Sequence, residues 1–189
     1  MKNENNKESN IADSRIELKK EYVKRERRSL FLLLIAAAAV ALCLRFFVFE
    51  LVRVDGRSME QTLHNNEYVF MERVTYWFRE PDFGDIIICT YPDEPGKTFV
   101  KRIIGTVNDE ILIRGGVLYI NGEPDYTHFK EPMFGQYGPF IVPKDCFFVM
   151  GDNRNNSSDS RVVGPIAKER VLGKAIFVVW PLSQIRGLS

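Results

Sequence analysis

Histidine and cysteine are scarce in this chain of 189 residues, with two of the first and three of the second. His64 and His128 have no cysteine or second histidine at ligand spacing, so no metal signature is present and both read as loop histidines. Cys43 lies inside an apolar run, which leaves Cys89 and Cys146 and rules out a disulfide framework. That remaining pair reads either as one bridge or as two buried thiols beside Ile88 and Phe147, and stability must come from packing. Charge of one sign is lacking too: 26 Lys and Arg against 25 Asp and Glu leave a net charge of +1, too little to imply a nucleic-acid partner. Internal repeats are absent, and the only low-complexity tract is the four alanines at 36–39.

Long hydrophobic runs are also rare, and the one present, residues 30–49, divides a charged tail from everything able to fold. Its uncharged part, 30–44, is shorter than the roughly 20 residues that cross a bilayer. Arg45 can extend to the headgroups while Phe46, Phe47 and Phe49 complete the length, so the reading is a single transmembrane helix over 29–49. A buried core helix is the rival, and the lack of a polar face speaks against it. Ala39-Val40-Ala41 has the form of an export-signal cleavage site, but the apolar sequence continues through it, as an uncleaved anchor would. Lys19, Lys20, Lys24, Arg25, Arg27 and Arg28 precede the run, which puts the tail 1–28 in the cytoplasm and residues 50–189 across the membrane. The tail carries nine basic and six acidic residues, cannot bury a core, and is expected to be disordered except for helix near the bilayer.

Residues 50–189 are enough for one domain with a proper core. Short β-type runs separated by turn residues fill it, at 68–71, 85–91, 98–104, 110–120, 146–150 and 171–180, so a mainly β, antiparallel domain is expected. Gly115-Gly116 splits the fourth run into a hairpin, and Asn121-Gly122 opens another turn. Residues 124–143, with Pro, Gly and aromatics but no period, read as a long loop or extension.

Three groups carry candidate chemistry. Ser58 follows a glycine-bearing turn, Val54-Asp55-Gly56-Arg57-Ser58-Met59, nine residues past the apolar run, where a serine is ordinarily a local hydrogen-bonder. Lys101 sits in the strand 98–104, where alternation places Phe99, Lys101 and Ile103 on one face and Val100, Arg102 and Ile104 on the other. A lysine between two large apolar neighbours either loses hydration, which lowers its pKa toward that of a general base, or snorkels to water at a sheet edge. The third group, residues 151–161, has two Asp, two Arg and three Ser after an apolar strand, which suits a buried polar network better than a plain surface loop.

Together these groups resemble the bacterial type I signal peptidases, membrane-bound serine proteases that cut export signals from secreted proteins. The resemblance covers the anchor and nearly the whole domain. It rests on Gly56-x-Ser58-Met59-x-x-Thr62-Leu63, on Lys101-Arg102-Ile103-Ile104-Gly105, on residues 151–161 followed by Gly164, and on Gly84-Asp85-Ile86. It implies Ser58 as nucleophile, Lys101 as its general base and the Ser157 hydroxyl as the group orienting the lysine. It further implies ion pairs Asp152 with Arg102 and Asp159 with Arg161, one oxyanion donor from the Ser58 N–H, and Met59 bordering a substrate pocket. No metal or cofactor is needed. The implied partners are signal-peptide-bearing preproteins, cut after small residues and bound extended beside Lys101 and residues 51–55, together with the lipid bilayer of a bacterial plasma membrane. Tyr76, Trp77, Phe78 and Phe83 read either as lipid-interface aromatics or as core and partner-facing ones.

The chain departs from the family pattern at three places. Gln61 replaces a proline, which makes the nucleophile turn less rigid; Thr106-Val107-Asn108 replaces a Pro-Gly before Asp109; and Gly56 stands where some members carry a second oxyanion serine. Two rivals remain: a catalytically inactive, membrane-tethered β scaffold or binding module, and a self-cleaving Ser-Lys protease of the repressor type. A scaffold has no need of Ser58, Lys101 and Ser157 together, and this chain has no basic recognition helix.

Overall fold

The computed structural model describes residues 22–42, 49–127 and 132–188. The chain divides into two compact units, Met1–Phe46 and Phe47–Ser189. In the first, residues 22–42 form helix α1, which opens with Lys24, Arg25, Glu26, Arg27 and Arg28. Among the described residues no helix is long and apolar enough to cross a membrane. Of the expected span, 29–42 is helical, 43–48 lies outside the described residues, and Phe49 is a correction: it begins a strand. Packing explains the change, because Phe49 stacks on Phe70 with ring centroids 4.8 Å apart and faces Glu72 in a strand pair. Of the expected tail, 22–28 is helical, while 1–21 lies outside the described residues.

The described residues of the second unit form twelve strands: β1 (Phe49–Arg53), β2 (Tyr68–Glu72), β3 (Ile86–Thr90), β4 (Thr98–Gly105), β5 (Glu110–Arg114), β6 (Val117–Ile120), β7 (Glu123–Asp125), β8 (Tyr137–Ile141), β9 (Cys146–Met150), β10 (Ile166–Ala167), β11 (Val171–Trp180) and β12 (Arg186–Gly187). Two single-turn helices, α2 (Thr75–Phe78) and α3 (Ser160–Val163), interrupt them. One sheet runs β1-β2-β11-β3-β4-β9-β10, with β12 added to β11, and a second runs β7-β6-β5-β8. Every pairing is antiparallel. The six expected β runs all form strands, and the fourth is split into a hairpin at Gly115 and Gly116, whose φ of 60° and 79° suit glycine.

Residues 124–143 correct the expectation of a long loop. Among them β8 pairs with β5, and β7 overlaps their start and pairs with β6. Among the described residues both strands are edges of the smaller sheet, and Pro139 falls at the register shift between Ile111 and Ile113, places where proline is tolerated in a sheet.

The β3–β4 pair is buried on both faces, which is why its sequence shows an apolar run more than an alternation. Ile86 and Ile88 join Val69, Met71, Ala175 and Val178 on one side, while Ile87, Cys89 and Ile103 join Phe147, Val149 and Ile166 on the other. Met59 and Leu63 belong to the first cluster. Each contributes roughly 1.5–3 kcal/mol by burial. That anchorage fixes the turn carrying Ser58 onto the sheet.

Candidate active site

The turn after β1 leads directly into the core. Val54 N donates to Glu67 O at 2.8 Å and Asn66 N to Val54 O at 2.9 Å, closing the loop at its base. Between them Gly56 has φ +100°, open to glycine, and the N–H groups of Thr62 and Leu63 both bond Met59 O, at 2.8 and 2.7 Å. Ser58 is thus held half-buried just before the buried Met59.

Lys101 is on β4 opposite Ile87 and is only 2% exposed, so it does not snorkel to water. Its Nζ lies 2.8 Å from Ser58 Oγ and 3.2 Å from Val100 O, with the Phe99 ring centroid 5.8 Å away. Burial pushes the amine's pKa below its usual value, against the opposing pull of Asp159, Cys89 and Asp152. A charged Lys101 donates to Ser58 Oγ; a neutral one accepts the serine proton at the same distance.

Arg102 points the other way, as the alternation requires. Its Nε and Nη2 donate to the two Asp152 carboxylate oxygens at 2.9 Å each, and its Nη1 to Gly84 O at 2.8 Å. The same Asp152 carboxylate accepts from the Thr62 hydroxyl, so one side chain ties the turn carrying Ser58 to the strand carrying Lys101. Asp159 is fully buried, accepts from Arg161 Nε and Nη2 at 2.8 Å each, and takes the Gly151 N–H at 3.1 Å, folding the 151–161 loop upon itself.

Ser157 departs from expectation. Its Oγ is buried without a hydrogen-bond partner among the described residues, and no bond joins it to Lys101. It packs against Gly151, where an added Cβ would meet Ser157 Oγ, the Ser58 carbonyl oxygen and Ser157 Cβ, the last at 2.7 Å. Ser58 is thus bonded to Lys101, Asp152 to Arg102 and Asp159 to Arg161, the last pair reaching the loop through the Gly151 N–H, and Ser157 adjoins Gly151 by packing.

Several contributors had no distinct signal in the sequence. Asn153 N donates to Ser58 O at 2.9 Å, and its side-chain amide to Arg57 O at 3.0 Å, fixing the backbone on both sides of Ser58. Tyr91 stacks on Phe99 with centroids 4.0 Å apart and donates its hydroxyl to Ser158 O at 3.0 Å. Asn153 was inside a polar loop, and Tyr91 closed the expected run 85–91 but falls just past the end of β3, so neither was marked as a contributor.

A cavity of about 280 Å³ opens beside the serine. Val52, Val54 and Gly56 line one side, Thr98 and Phe99 the other, with Ser58, Met59 and Lys101 also on its wall. Among the described residues no cluster of His, Cys, Asp and Glu has the arrangement of a metal site. His128 lies outside them, as does Cys43. Cys89 and Cys146 are free thiols, which decides against the bridge, and burial pushes the Cys89 thiol up to about 12.

A mainly antiparallel β domain with a buried amine against a serine hydroxyl at an open groove is the equipment of a hydrolase. The chain belongs to the signal peptidase family, peptidase S26, whose pattern matches residues 27–180. It is 39% identical over 165 residues to signal peptidase I of Bacillus licheniformis, covering 81% of this chain and 88% of that protein. It is 35% identical over 162 residues to signal peptidase I of Leptolyngbya laminosa, covering 81% and 79% respectively. A crystal structure of a signal peptidase I from Enterococcus faecalis, 27% identical, covers 51% of this chain and 97% of that chain with a TM-score of 0.42.

Proposed function

We propose that this chain removes N-terminal signal peptides from secreted preproteins, with Ser58 as nucleophile and Lys101 as general base. The 2.8 Å approach of Lys101 Nζ to Ser58 Oγ at a buried lysine carries the reading. Neutral Lys101 takes the Ser58 proton as Oγ bonds to the scissile carbonyl carbon, whose oxygen takes the negative charge and meets the Ser58 N–H. When that tetrahedral species collapses, the C–N bond breaks and the lysine's acquired proton goes to the leaving amine. Lys101, neutral again, deprotonates a water that attacks the acyl ester and restores Ser58. The substrate enters extended in the cavity between residues 52–56 and 98–101, with main-chain bonds for affinity and Met59 limiting the side chains accommodated to small ones.

The 29–48 run, which ends before Phe49 opens β1, supplies the membrane anchor in this reading, with the basic cluster before it on the cytoplasmic side and the β domain outside. Trp77 and Phe78, 61% and 85% exposed, suit the lipid interface, whereas Tyr76 turns inward and donates its hydroxyl to Asp85.

Ser58→Ala and Lys101→Ala test the assignment in detergent with a preprotein substrate. Each abolishes cleavage while the protein still melts cooperatively. Full activity in either variant would refute the dyad.

A further inference from the structure

The last strand reaches back to the nucleophile loop. β12 pairs with the edge of β11 that β3 leaves, placing Arg186 opposite Val178, and Leu188 N donates to Ile176 O at 2.8 Å while its side chain packs on the cluster holding Met59 and Leu63. From there Arg186 Nη1 and Nη2 donate to Glu67 Oε1 and Oε2, both at 2.8 Å, and Nη2 also to Thr62 O at 2.7 Å. Glu67 is the residue whose carbonyl closes the loop base on Val54, and its Oε2 also takes the His64 N–H at 2.9 Å. Its side chain is 4% exposed; burial pushes that carboxyl's pKa up, and the Arg186 and His64 bonds more than offset this, leaving it below the usual value.

Thr62 therefore has two masters. Its carbonyl goes to Arg186 in the C-terminal strand, and its hydroxyl to Asp152, which also holds the neighbour of Lys101. We infer that Arg186 is a positioning residue for the reaction: acting through Glu67 and Thr62, it closes the loop that presents Ser58 and sets the distance from Ser58 to Lys101. This rests on the Ser58–Lys101 reading. A planar guanidinium is suited to the task because it bonds both carboxylate oxygens and still has an N–H for the carbonyl, whereas a lysine makes fewer of these bonds.

The test uses the full chain in detergent and compares wild type, Ser58→Ala, Arg186→Gln, Arg186→Lys and Glu67→Gln for kcat, KM, pH profile and thermal melting. Arg186→Gln lowers kcat by about 10- to 100-fold with KM within about twofold, since misplacing a reacting group by an ångström has that scale of effect. A loosened turn also admits water to Lys101, so the rising limb of the rate moves to higher pH. The charged or titratable groups facing Lys101 are Cys89 from β3 and Asp152 and Asp159 from the loop after β9, and none is altered by these substitutions. Arg186→Lys recovers part of kcat and part of the pH shift. If Arg186→Gln does not fold, Glu67→Gln, which spares the Thr62 bond, is read by the same two criteria and shows smaller changes in the same direction. Wild-type kcat and an unmoved pH limb in the folded variant overturn the inference, as does a kcat loss that only follows the folded fraction. Cleavage by Ser58→Ala would instead overturn the dyad, a separate result.

Discussion

Asp152→Ala strips away a side chain that bonds both the turn carrying Ser58 and the strand carrying Lys101. It removes two bonds from Arg102 at 2.9 Å and the bond from the Thr62 hydroxyl. The two side chains of the ion pair are 1% and 3% exposed, so water cannot replace the lost carboxylate as it would on the surface. Charge-assisted bonds contribute about 1.5–3 kcal/mol each, yet these share one desolvation cost and do not add. Taking one partner from a buried pair costs about 3–5 kcal/mol. Arg102 keeps its bond to Gly84 O, which places the expected loss near about 3 kcal/mol, the lower end of that range. For a domain of this size that lowers Tm by roughly 10 °C. Urea unfolding of the full chain in detergent gives the stability, and preprotein cleavage by the fraction still folded gives the catalytic loss. Asp152→Asn, which keeps the volume and one acceptor, falls between. An Asp152→Ala variant within about 0.5 kcal/mol of wild type, the range of an ordinary surface change, would refute the reasoning.

Lys101 makes a second prediction with a defined sign. Its folded pKa lies below the unfolded value of about 10.5, so the cleavage rate rises with pH as the amine loses its proton, at a midpoint below that value. The unfolded chain binds more protons than the folded one throughout that window, so stability rises with pH there; Lys101→Met loses this slope and, near neutral pH, melts higher than wild type while inactive. A Lys101→Met variant less stable at neutral pH and with the wild-type slope contradicts this. Gly151→Ala puts a methyl group against Ser157 Oγ and the Ser58 carbonyl; overpacking of this kind costs about 1–3 kcal/mol, and the collision with backbone displaces Ser58, so activity falls further than melting temperature. Equal activity per folded molecule would show that the site yields to the methyl group without harm.

What the sequence could convey depended on how local each cause was. The runs 146–150 and 171–180 became β9 and β11 with unchanged ends, because an apolar stretch bounded by turn residues is a local signal. Phe49 was ambiguous in the same terms: a phenylalanine fits a helix or a strand, and its place in β1 is decided by Phe70, distant in sequence. β8 was hidden by Gly138 and Pro139, tolerated at a register shift on what is, among the described residues, a sheet edge. Ser58 and Lys101 were ambiguous one at a time, a turn serine and a strand lysine, and took their expected roles from the family resemblance they carry together with the charged loop 151–161. Arg186, Glu67 and Tyr91 could not be picked out, since an arginine, a glutamate and a tyrosine among many take their roles only from partners dozens of residues away.

The two ion pairs also have an electrical consequence for the base. Asp159 and Asp152 both pull the Lys101 pKa upward, against the burial that lowers it. Under the proposed role of Lys101 as base, a nearby carboxylate is therefore a liability, yet the loop needs both: Asp159 to cap its own turn and hold Gly151, Asp152 to link Thr62 with β4. Pairing each with a guanidinium keeps its hydrogen bonds and sets an opposite charge under 3 Å from it, which offsets part of its field at the amine. Arg102 is the more economical of the two solutions. It follows Lys101 in the chain, but strand alternation sends it to the opposite face, where it holds Asp152 through two bonds. A strand, unlike a helix, can give adjacent residues opposite tasks in this way, which is a physical reason for base and charge partner to be consecutive in β4.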